Sequence, residues 1–329
     1  MSASHLLVVL VVAVLIDLCL GEPANRWHPV AWMGAFIGKA GSLCPAGGNA
    51  FRFLWGCMIV LLGVVIVALT GWAIERLGTV IAARTHSWAP LAWPAVVAIE
   101  ALVLKCCFGI RSLHWAAASV LNELEREDQP AARQQLAYHL VSRDVNQLSV
   151  AEISAATIES VAENTSDSVV APLFCYVVAG LPGALVYRYV NTCDAMLGYR
   201  TPPLEWLGKA AARTDDVLNL IPARITALLI IATNAASPGK MWRAFQTWRR
   251  DRGETQSPNG GHPISAASGV LGVRLEKLEH YCLGRNFRVP GAADVRGMLR
   301  LFRRTVVLAL IVVALSQWAA NYLVAWRAR

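Results

Sequence analysis

The sequence predicts an all-α polytopic membrane protein, and three observations support this. The 329 residues are 56% hydrophobic and 16% charged, with a mean hydropathy of +0.45, more apolar than a soluble domain of this length. Several apolar runs approach or reach about 20 residues, the length that crosses a bilayer. Most charged residues lie between these runs. We expect about five or six membrane segments, with cytoplasmic helical loops, in a single integral-membrane domain over residues 1–329.

Four apolar runs predict membrane helices: Leu6 to Leu20, Phe53 to Ile74, Trp88 to Cys107 and the final span, Thr305 to Trp326. No basic region precedes the first run and no small-residue cleavage signal follows it, so we expect an uncleaved helix. The third run contains Glu100 and Lys105, which we expect to pair or to reach the membrane surface.

Two stretches depart from the simple pattern of membrane helices. Residues 109–145 carry apolar residues at helical spacing among Arg, Glu and Gln, which predicts a water-facing helical hairpin. The run from Val169 to Val190 contains Pro172, Gly180 and Pro182. We therefore expect a broken or re-entrant segment there, which is permitted where backbone is buried in protein or lines a wet cavity.

The positive charge is concentrated near the C-terminus. Thirteen of the thirty Lys and Arg residues lie between Lys240 and Arg304, between two apolar segments. This placement follows the positive-inside rule and suits an anionic lipid surface better than nucleic acid. We expect a basic cytoplasmic loop over residues 237–304 and a multi-pass protein of the cell inner membrane. The eight cysteines contain no CxxC pair and are expected to be packing thiols.

The region from 149 to 224 contains three polar blocks beside segments that are apolar enough for a membrane interior. Unpaired charge is costly in such surroundings. In the first block, Glu159, Glu163 and Asp167 are spaced i, i+4, i+8, with Asn164 beside them. A continuous helix would stack these carboxylates on one face, and a cation would relieve their repulsion. The alternative is a solvated acidic face.

The second and third blocks pair carboxylates with carboxamides at helical spacing. Asn191 and Asp194 are three residues apart, as are Asp216 and Asn219, and Asp215 lies four residues before Asn219. Such oxygen ligands suit Mg²⁺, which takes one or two carboxylates and completes its shell with water and phosphate.

Basic residues near these blocks are candidates for holding phosphate: Lys209, Arg213 and Arg224. Arg213 is also three residues from Asp216, so internal neutralisation is an alternative. The segment Gly34 to Ala40 is not a P-loop, because three residues separate its glycines and no Ser or Thr follows Lys39. A bound nucleotide would therefore require a different arrangement.

Taken together, the motifs resemble the membrane-bound adenosylcobinamide-phosphate synthases of cobalamin biosynthesis, the CobD/CbiB family. The resemblance covers nearly the whole chain and rests on these motifs: Asp17-x-x-x-Gly21-Glu22-Pro23, His28-Pro29-Val30, Met33-Gly34, Arg143-Asp144, Glu159-Ser-Val-Ala-Glu163-Asn164-Thr-x-Asp167, Val170-Ala171-Pro172-Leu173-Phe174, Tyr187, Asn191-Thr192-x-Asp194-x-Met196-x-Gly198-Tyr199, Arg213-x-Asp215-Asp216-Val-x-Asn219-x-x-Pro222-Ala223-Arg224, Ser257-Pro258-Asn259 and Ala267-x-Gly269-x-Leu271-Gly272. Two positions depart from the pattern, since Glu22 and Ser168 stand where the family more often has Asp and Gly.

The resemblance implies an ATP-dependent acid-amine ligase, with Mg²⁺ and ATP required. Its substrates would be adenosylcobyric acid, a corrinoid, and aminopropanol or aminopropanol phosphate. The site would face the cytoplasm, and other cobalamin-pathway enzymes are possible partners.

The resemblance does not fix the role of each residue, so we infer the roles from the residue types. The candidate catalytic residues are Glu159, Glu163, Asp167, Asp194, Asp215 and Asp216. Four of these, Glu159, Glu163, Asp167 and Asp216, are also candidate metal ligands. The candidate ATP-binding residues are Asn164, Asn191, Thr192, Lys209, Arg213, Asn219, Arg224, Ser257 and Asn259.

Two functions without ligase activity remain as alternatives. A membrane transporter would also contain a broken helix and buried polar residues, but here the polar blocks lie in one half of the chain. A sensory membrane protein of the same superfamily would be expected to have degraded polar blocks, whereas both Asn191-Thr192-x-Asp194 and Arg213-x-Asp215-Asp216 are intact.

Overall fold

A computed structural model describes residues 3–84, 89–202, 204–277 and 280–327. The helices of these ranges are α1 (Ala3–Leu20), α2 (Pro29–Ser42), α3 (Asn49–Arg84), α4 (Ala89–Lys105), α5 (Ile110–Glu125), α6 (Gln129–His139), α7 (Val150–Thr165), α8 (Ala171–Leu197), α9 (Leu204–Ala232), α10 (Pro238–Asp251), α11 (Gly261–Leu271) and α12 (Ala292–Arg327). Two short strands, β1 (Leu275–Lys277) and β2 (Tyr281–Leu283), pair antiparallel with Leu275 opposite Leu283.

The all-α membrane fold is confirmed. Within the described residues, three helical stretches are long and apolar enough to cross a membrane: Asn49–Ile81, Ala92–Glu125 and Val150–Leu197. A shorter apolar helix, Ser4–Leu20, corresponds to the first predicted segment. The predicted final span lies in α12, which begins at Ala292, earlier than predicted. The predicted start of the third segment, Trp88, lies outside the described residues.

The chain forms two compact units, each assembled from separate stretches of sequence. The first unit comprises residues 1–109, 171–218 and 312–329, and the second comprises residues 110–170 and 219–311. The chain passes from one unit to the other within α9, between Leu218 and Asn219. The predicted polar region 149–224 therefore contributes residues to both units.

In the first unit, α3 packs against α8 and α1 packs against α4. Gly63 allows the close approach of α3 and α8, because a Cβ at this position would lie 1.9 Å from Cζ of Tyr189. The buried Tyr189 hydroxyl donates a hydrogen bond to the Ile59 carbonyl oxygen at 2.9 Å. This bond satisfies a polar group that would otherwise be costly to bury.

The predicted break in the segment from Val169 to Val190 is confirmed within α8. Ala179 has φ −137° and ψ 20°, and Gly180 has φ 64° and ψ −155°, a left-handed φ that favours glycine. The Leu181 N–H, which lies next to the break, donates to Glu75 Oε1 at 2.8 Å. Glu75 on α3 therefore supplies an acceptor for a backbone donor at the broken helix.

The predicted pairing of Glu100 with Lys105 is wrong. The Lys105 ammonium instead bonds to Glu22 Oε2 and lies 3.7 Å from Asp17 Oδ1. His5 Nε2 lies 2.7 Å from Glu100 Oε2. A five-residue separation places two side chains on different faces of a helix, so each meets a partner from another segment.

In the second unit, α5 and α6 pack together as the predicted hairpin. α5 also ends the membrane-length stretch Ala92–Glu125, and the water-facing position of the hairpin stays a prediction. The predicted basic loop, 237–304, is folded and includes α10, α11, the strand pair and the start of α12. The Arg243 guanidinium on α10 donates to the carbonyl oxygens of Gly269 and Val270 on α11 at 2.8 and 2.9 Å. These hydrogen bonds fix α10 against α11, so this part of the segment is folded.

Candidate functional site

The first polar block begins with a helix start that the sequence predicts. Ser149 caps α7, since its hydroxyl accepts from the Glu152 N–H at 3.3 Å while Glu152 Oε2 accepts from the Ser149 N–H at 2.7 Å. Most of the following turns are buried, including Glu159, which is 6% exposed. The capping box thus starts a helix that carries a carboxylate into the protein interior.

The spacing of Glu159, Glu163 and Asp167 suggests one continuous α-helix, but the structure has an α-helix followed by a π-helical turn. α7 ends at Thr165, and residues Ser166–Val170 form a π-helical turn that contains Asp167. Because a π turn holds more residues than an α turn, it rotates Asp167 relative to Glu159 and Glu163. Within the described residues, no three Asp, Glu, His or Cys side chains converge as a metal-binding group.

Glu159 and Glu163 instead face a cavity of about 230 Å³ within the second unit. Asn164 also lines it and is fixed by two bonds: its Nδ2 donates to the Ser160 carbonyl at 2.9 Å, and its Oδ1 accepts from the Ser168 hydroxyl at 3.2 Å. The polar side chains that line the cavity are Ser142, Arg143, Glu159, Ser160, Glu163, Asn164, Lys277 and Tyr281. Sequence reasoning did not assign roles to Arg143, Lys277 or Tyr281.

Tyr281 on β2 holds the buried carboxylate of Glu159. Its hydroxyl donates to Glu159 Oε2 at 3.1 Å. Burial, followed by the negative charges of Glu159 and Glu163, raises the pKa of the Tyr281 phenol, so it remains a donor at neutral pH. The other oxygen, Glu159 Oε1, is buried and accepts no hydrogen bond within the described part of the chain.

Within the second unit, the loop containing Ser257 and Asn259 lies beside Glu163 of the first polar block and Arg224 of the third. Arg224 Nη1 lies 3.4 Å from Asn259 Oδ1, and the Asn259 N–H donates to the Ser257 hydroxyl at 3.2 Å. Gly260 approaches the first block, because a Cβ there would lie 2.8 Å from Glu163 Oε1. The loop thus contacts both the Arg224 and Glu163 side chains.

His262, at the start of α11, is neutral near physiological pH. Burial, then the positive charges of Arg224 and Arg252, lower the pKa of His262 to about 4. Trp248 Nε1 donates to His262 Nδ1 at 3.0 Å, so this ring nitrogen is an acceptor. His262 therefore adds no positive charge beside Arg224.

The first unit holds the second block and the acidic part of the third. Asn191 Nδ2 lies 3.4 Å from Asp215 Oδ1, which brings α8 and α9 together. Asp216 lies close enough to Asp194 for their charges to interact. Gly198 leaves room for this group, because a Cβ there would lie 2.1 Å from Asp194 Oδ1.

The remaining predicted binding residues have local contacts. The Lys209 ammonium lies 4.0 Å from the ring centroid of Trp206, and the Thr192 hydroxyl donates to the Arg188 carbonyl at 2.7 Å. No ion pair within 4.0 Å joins Arg213 to Asp216. Internal neutralisation of Asp216 by Arg213 nevertheless stays an alternative to phosphate binding. Asn219 is 2% exposed and lies in the second unit.

The donor types of the first unit fit a nucleotide-bound magnesium ion better than a bare ion. Asp194 and Asp216 supply the pair of hard oxygen donors that Mg²⁺ takes from a protein when phosphates and water complete its shell. A site made only of protein ligands would need more converging oxygens than the described residues provide. The fit therefore depends on phosphate.

Comparison with known proteins places the chain in a family. Residues 10–322 match the model of the CobD/Cbib protein family. The chain is 39% identical over 292 residues to a cobalamin biosynthesis protein CobD of Dehalococcoides mccartyi, covering 86% of this chain and 88% of that protein. It is 37% identical over 324 residues to the Rhodobacter capsulatus protein of the same name, covering 93% and 98%.

A more distant relative extends the same match. A probable cobalamin biosynthesis protein CobD of Methanocaldococcus jannaschii is 31% identical over 317 residues, which cover 94% of this chain and 98% of that protein. No solved structure matches the chain. Since the family model and these relatives span nearly all of the sequence, the chain belongs to the CobD/CbiB family of cobalamin biosynthesis proteins.

Proposed function

We propose that the protein is an ATP-dependent ligase that joins adenosylcobyric acid to (R)-1-amino-2-propanol or its O-2-phosphate. The product would be adenosylcobinamide or its phosphate. The observation that carries the proposal is the family match over residues 10–322, which includes all three polar blocks. The relatives are named as cobalamin biosynthesis proteins, which favours a synthase over the transporter and the sensory protein.

The chemistry requires that a carboxylate be activated before an amine can attack it. The propionate oxygen of the corrinoid attacks the γ-phosphorus of ATP, and the bond to ADP breaks, giving an acyl phosphate and ADP. The amine, after losing a proton from its ammonium form, attacks the acyl carbon. The carbon–oxygen bond to phosphate then breaks, and amide and inorganic phosphate are released. The net reaction consumes one ATP per amide and releases one proton.

The acidic group of the first unit would serve the nucleotide. Asp194, Asp215 and Asp216 would hold Mg²⁺ as its complex with ATP, which would shield phosphate charge during transfer. Arg213 forms no hydrogen bond or ion pair with another described residue, so its guanidinium remains available for phosphate. Lys209 would add a second cation on the same helix.

The cavity of the second unit fits the amine better than a metal ion. Arg143 and Lys277 line it together with Glu159 and Glu163, and their positive charge opposes binding of a bare divalent cation. Glu159 would act as the base that takes the ammonium proton. Asp167 does not line this cavity and stays a candidate metal ligand within the second unit.

The proposed location is the cell inner membrane, with the substrate sites open to the cytoplasm, where ATP is available. The basic segment 237–304 supports this orientation through the positive-inside rule. Access from the cytoplasm would also suit other enzymes of the pathway as partners.

Purified protein with adenosylcobyric acid, aminopropanol phosphate and Mg·ATP tests the proposal, with amide product measured by mass spectrometry. We expect product only when all three substrates are present. Asp216→Asn should abolish turnover and leave the melting temperature nearly unchanged, whereas Glu254→Gln, an exposed carboxylate outside the blocks, should retain activity. Absence of product with the wild-type protein would contradict the proposal. A large melting loss in Asp216→Asn that Arg213→Met repairs would make Asp216 structural.

A further inference from the structure

The cavity of the second unit presents both signs of charge. Glu159 and Glu163 supply carboxylates, and Arg143 and Lys277 supply cations. Neither of these cations forms a side-chain hydrogen bond or an ion pair with another residue that the structure describes. The Arg143 guanidinium and the Lys277 ammonium line the same cavity as the buried Glu159 carboxylate but form no ion pair with it. Both cations are therefore available for an anionic ligand.

Glu159 gives the cavity a specific acceptor. The side chain is more than nine-tenths buried, Tyr281 occupies Oε2, and Oε1 accepts no hydrogen bond from a described residue. Leaving a buried acceptor unsatisfied costs about 1 to 3 kcal/mol, and more for a charged group. A ligand with an ammonium group would satisfy Oε1, because it has three donors and no acceptor.

The volume limits the ligand to a small molecule. At about 30 Å³ for each water, the cavity of about 230 Å³ holds on the order of seven waters, or a ligand of about ten non-hydrogen atoms. Pockets for drug-sized ligands are usually about 300 to 1,000 Å³. A corrinoid or a nucleoside triphosphate would place only part of its structure in this space, whereas a phosphorylated amino alcohol would fill it.

We infer that this cavity binds the amine substrate as a phosphorylated amino alcohol, with its ammonium at Glu159 and its phosphate at Arg143 and Lys277. The inference rests on the proposed function and assigns one substrate of that reaction to one site. In this position Glu159 accepts a proton from the ammonium. The N–H bond breaks, the electron pair stays on nitrogen, and the carboxylate becomes a neutral acid.

Tyr281 is a positioning residue in this arrangement. Its bond to Oε2 fixes the carboxylate and leaves Oε1 as the oxygen without a hydrogen bond from a described residue. The antiparallel pair β1 and β2 places Lys277 opposite Tyr281, so one hairpin supplies both a phosphate ligand and the group that orients the base.

Isothermal titration of the purified full-length protein, without ATP or corrinoid, tests the inference. Three probes are compared: 1-amino-2-propanol O-phosphate, 1-amino-2-propanol and inorganic phosphate. We expect the phosphorylated amine to bind at least tenfold more tightly than the other two. Equal affinity for the phosphorylated amine and inorganic phosphate would overturn the role of Glu159, and equal affinity for the two amines would overturn the roles of Arg143 and Lys277.

Substitutions assign the two ends of the ligand. Arg143→Met and Lys277→Met should each weaken binding of the phosphorylated amine at least tenfold, without changing affinity for the unphosphorylated amine. Glu159→Gln should weaken both amines and leave phosphate binding unchanged. Lys240→Met is the matched control, since Lys240 is exposed on α10. If a methionine variant does not fold, Lys277→Arg and Arg143→Lys preserve the charge and should retain binding, and loss of binding in these folded variants would contradict the inference.

Turnover separates this inference from the proposed function. If wild-type protein forms the amide but Arg143→Met and Lys277→Met keep the wild-type KM for the phosphorylated amine, the inference fails and the function stands. If the wild type binds the phosphorylated amine through these residues but forms no amide, the binding site stands and the proposed reaction fails.

Discussion

Tyr281 donates a hydrogen bond to Glu159 Oε2 at 3.1 Å and thereby connects a short strand to the buried middle of α7. The two residues are 122 positions apart, so no local pattern in the sequence marks the contact. The bond leaves Oε1 as the buried carboxylate oxygen that accepts no hydrogen bond from a described residue. The relationship accounts for how a buried carboxylate can be oriented beside Arg143 and Lys277.

Replacing Tyr281 with Phe should lower both activity and stability. A hydrogen bond to a charged group contributes about 1.5 to 3 kcal/mol, and its loss leaves Glu159 less constrained. We expect kcat/KM for the amine to fall about tenfold or more, with a measurable fall in melting temperature. Tyr138→Phe, at a tyrosine that is 82% exposed, should change neither quantity. Wild-type kinetics in Tyr281→Phe would show that the bond does not position the carboxylate.

Gly180→Ala should destabilise the protein through the break in α8. A side chain at φ 64° is strained, and the new Cβ would lie 2.5 Å from Glu75 Oε1, the acceptor for Leu181 N–H. We expect a clear fall in melting temperature. The control is Gly239→Ala, where a Cβ meets nothing within 4 Å and alanine favours the first turn of α10. Equal melting temperatures for the two variants would mean that α8 does not depend on this geometry.

The sequence indicates the fold better than it indicates the contacts of the site. Pro172, Gly180 and Pro182 predicted the break in α8, because proline disrupts a helix sterically and glycine readily adopts a left-handed φ. The start of α7 is likewise local, because Ser149 and Glu152 form a capping box within four consecutive residues. In contrast, Lys105 pairs with Glu22, which is 83 positions away, and such a pairing depends on tertiary packing.

In the candidate site too, local features could be predicted from the sequence and tertiary contacts could not. The polar blocks were identified from their composition, but the π-helical turn at Ser166–Val170 changed the orientation of Asp167 without a signal in the residue spacing. Lys277 and Tyr281 lie on strands of three residues each. Such strands are too short for an alternation of apolar and polar residues to be recognised in the sequence. The packing of β1 against α7 brings both residues to the cavity.

Acid should destabilise the wild-type protein through Glu22. Burial alone would raise the pKa of Glu22, but hydrogen bonds and positive charge from His28 and Lys105 outweigh it and lower this pKa to about 2. A carboxylate whose pKa is lower in the folded state stabilises that state above the unfolded pKa, about 4.5. We expect the Glu22 contribution to be lost as the pH falls from about 4.5 towards 2, which melting curves across this range would measure.

Lys105→Met should reduce this effect, because His28 is then the remaining group that lowers the pKa of Glu22. Without the buried ammonium, Glu22 and the nearby Asp17 lose their shared cation, and removal of one partner of a buried ion pair costs about 3 to 5 kcal/mol. Protonation of Glu22 then costs less, so the variant should lose less stability than the wild type as the pH falls from about 4.5 towards 2. Lys240→Met should keep the wild-type pH dependence. An unchanged acid profile in Lys105→Met would contradict the assigned network.

Cysteine labelling should place the hairpin and the loop after α8 on the cytoplasmic side. Single cysteines are introduced by Thr201→Cys and Gln134→Cys, both at exposed positions, in a background without the eight native cysteines. A membrane-impermeant maleimide added to intact cells should label neither variant, and opening the cells should expose both. Labelling of Thr201→Cys alone in intact cells would mean that the segment before it crosses the membrane and separates the polar blocks.

The fate of the carboxylate oxygen tests most directly whether the protein activates an acid by phosphoryl transfer from ATP. Adenosylcobyric acid with its free propionate labelled by ¹⁸O is incubated with the purified protein, aminopropanol phosphate and Mg·ATP, and the products are analysed by mass spectrometry. The account predicts one amide, one ADP and one inorganic phosphate per turnover, with one ¹⁸O atom from the carboxylate in each phosphate. Amide formed without ATP, or ¹⁸O recovered in AMP instead of inorganic phosphate, would contradict it.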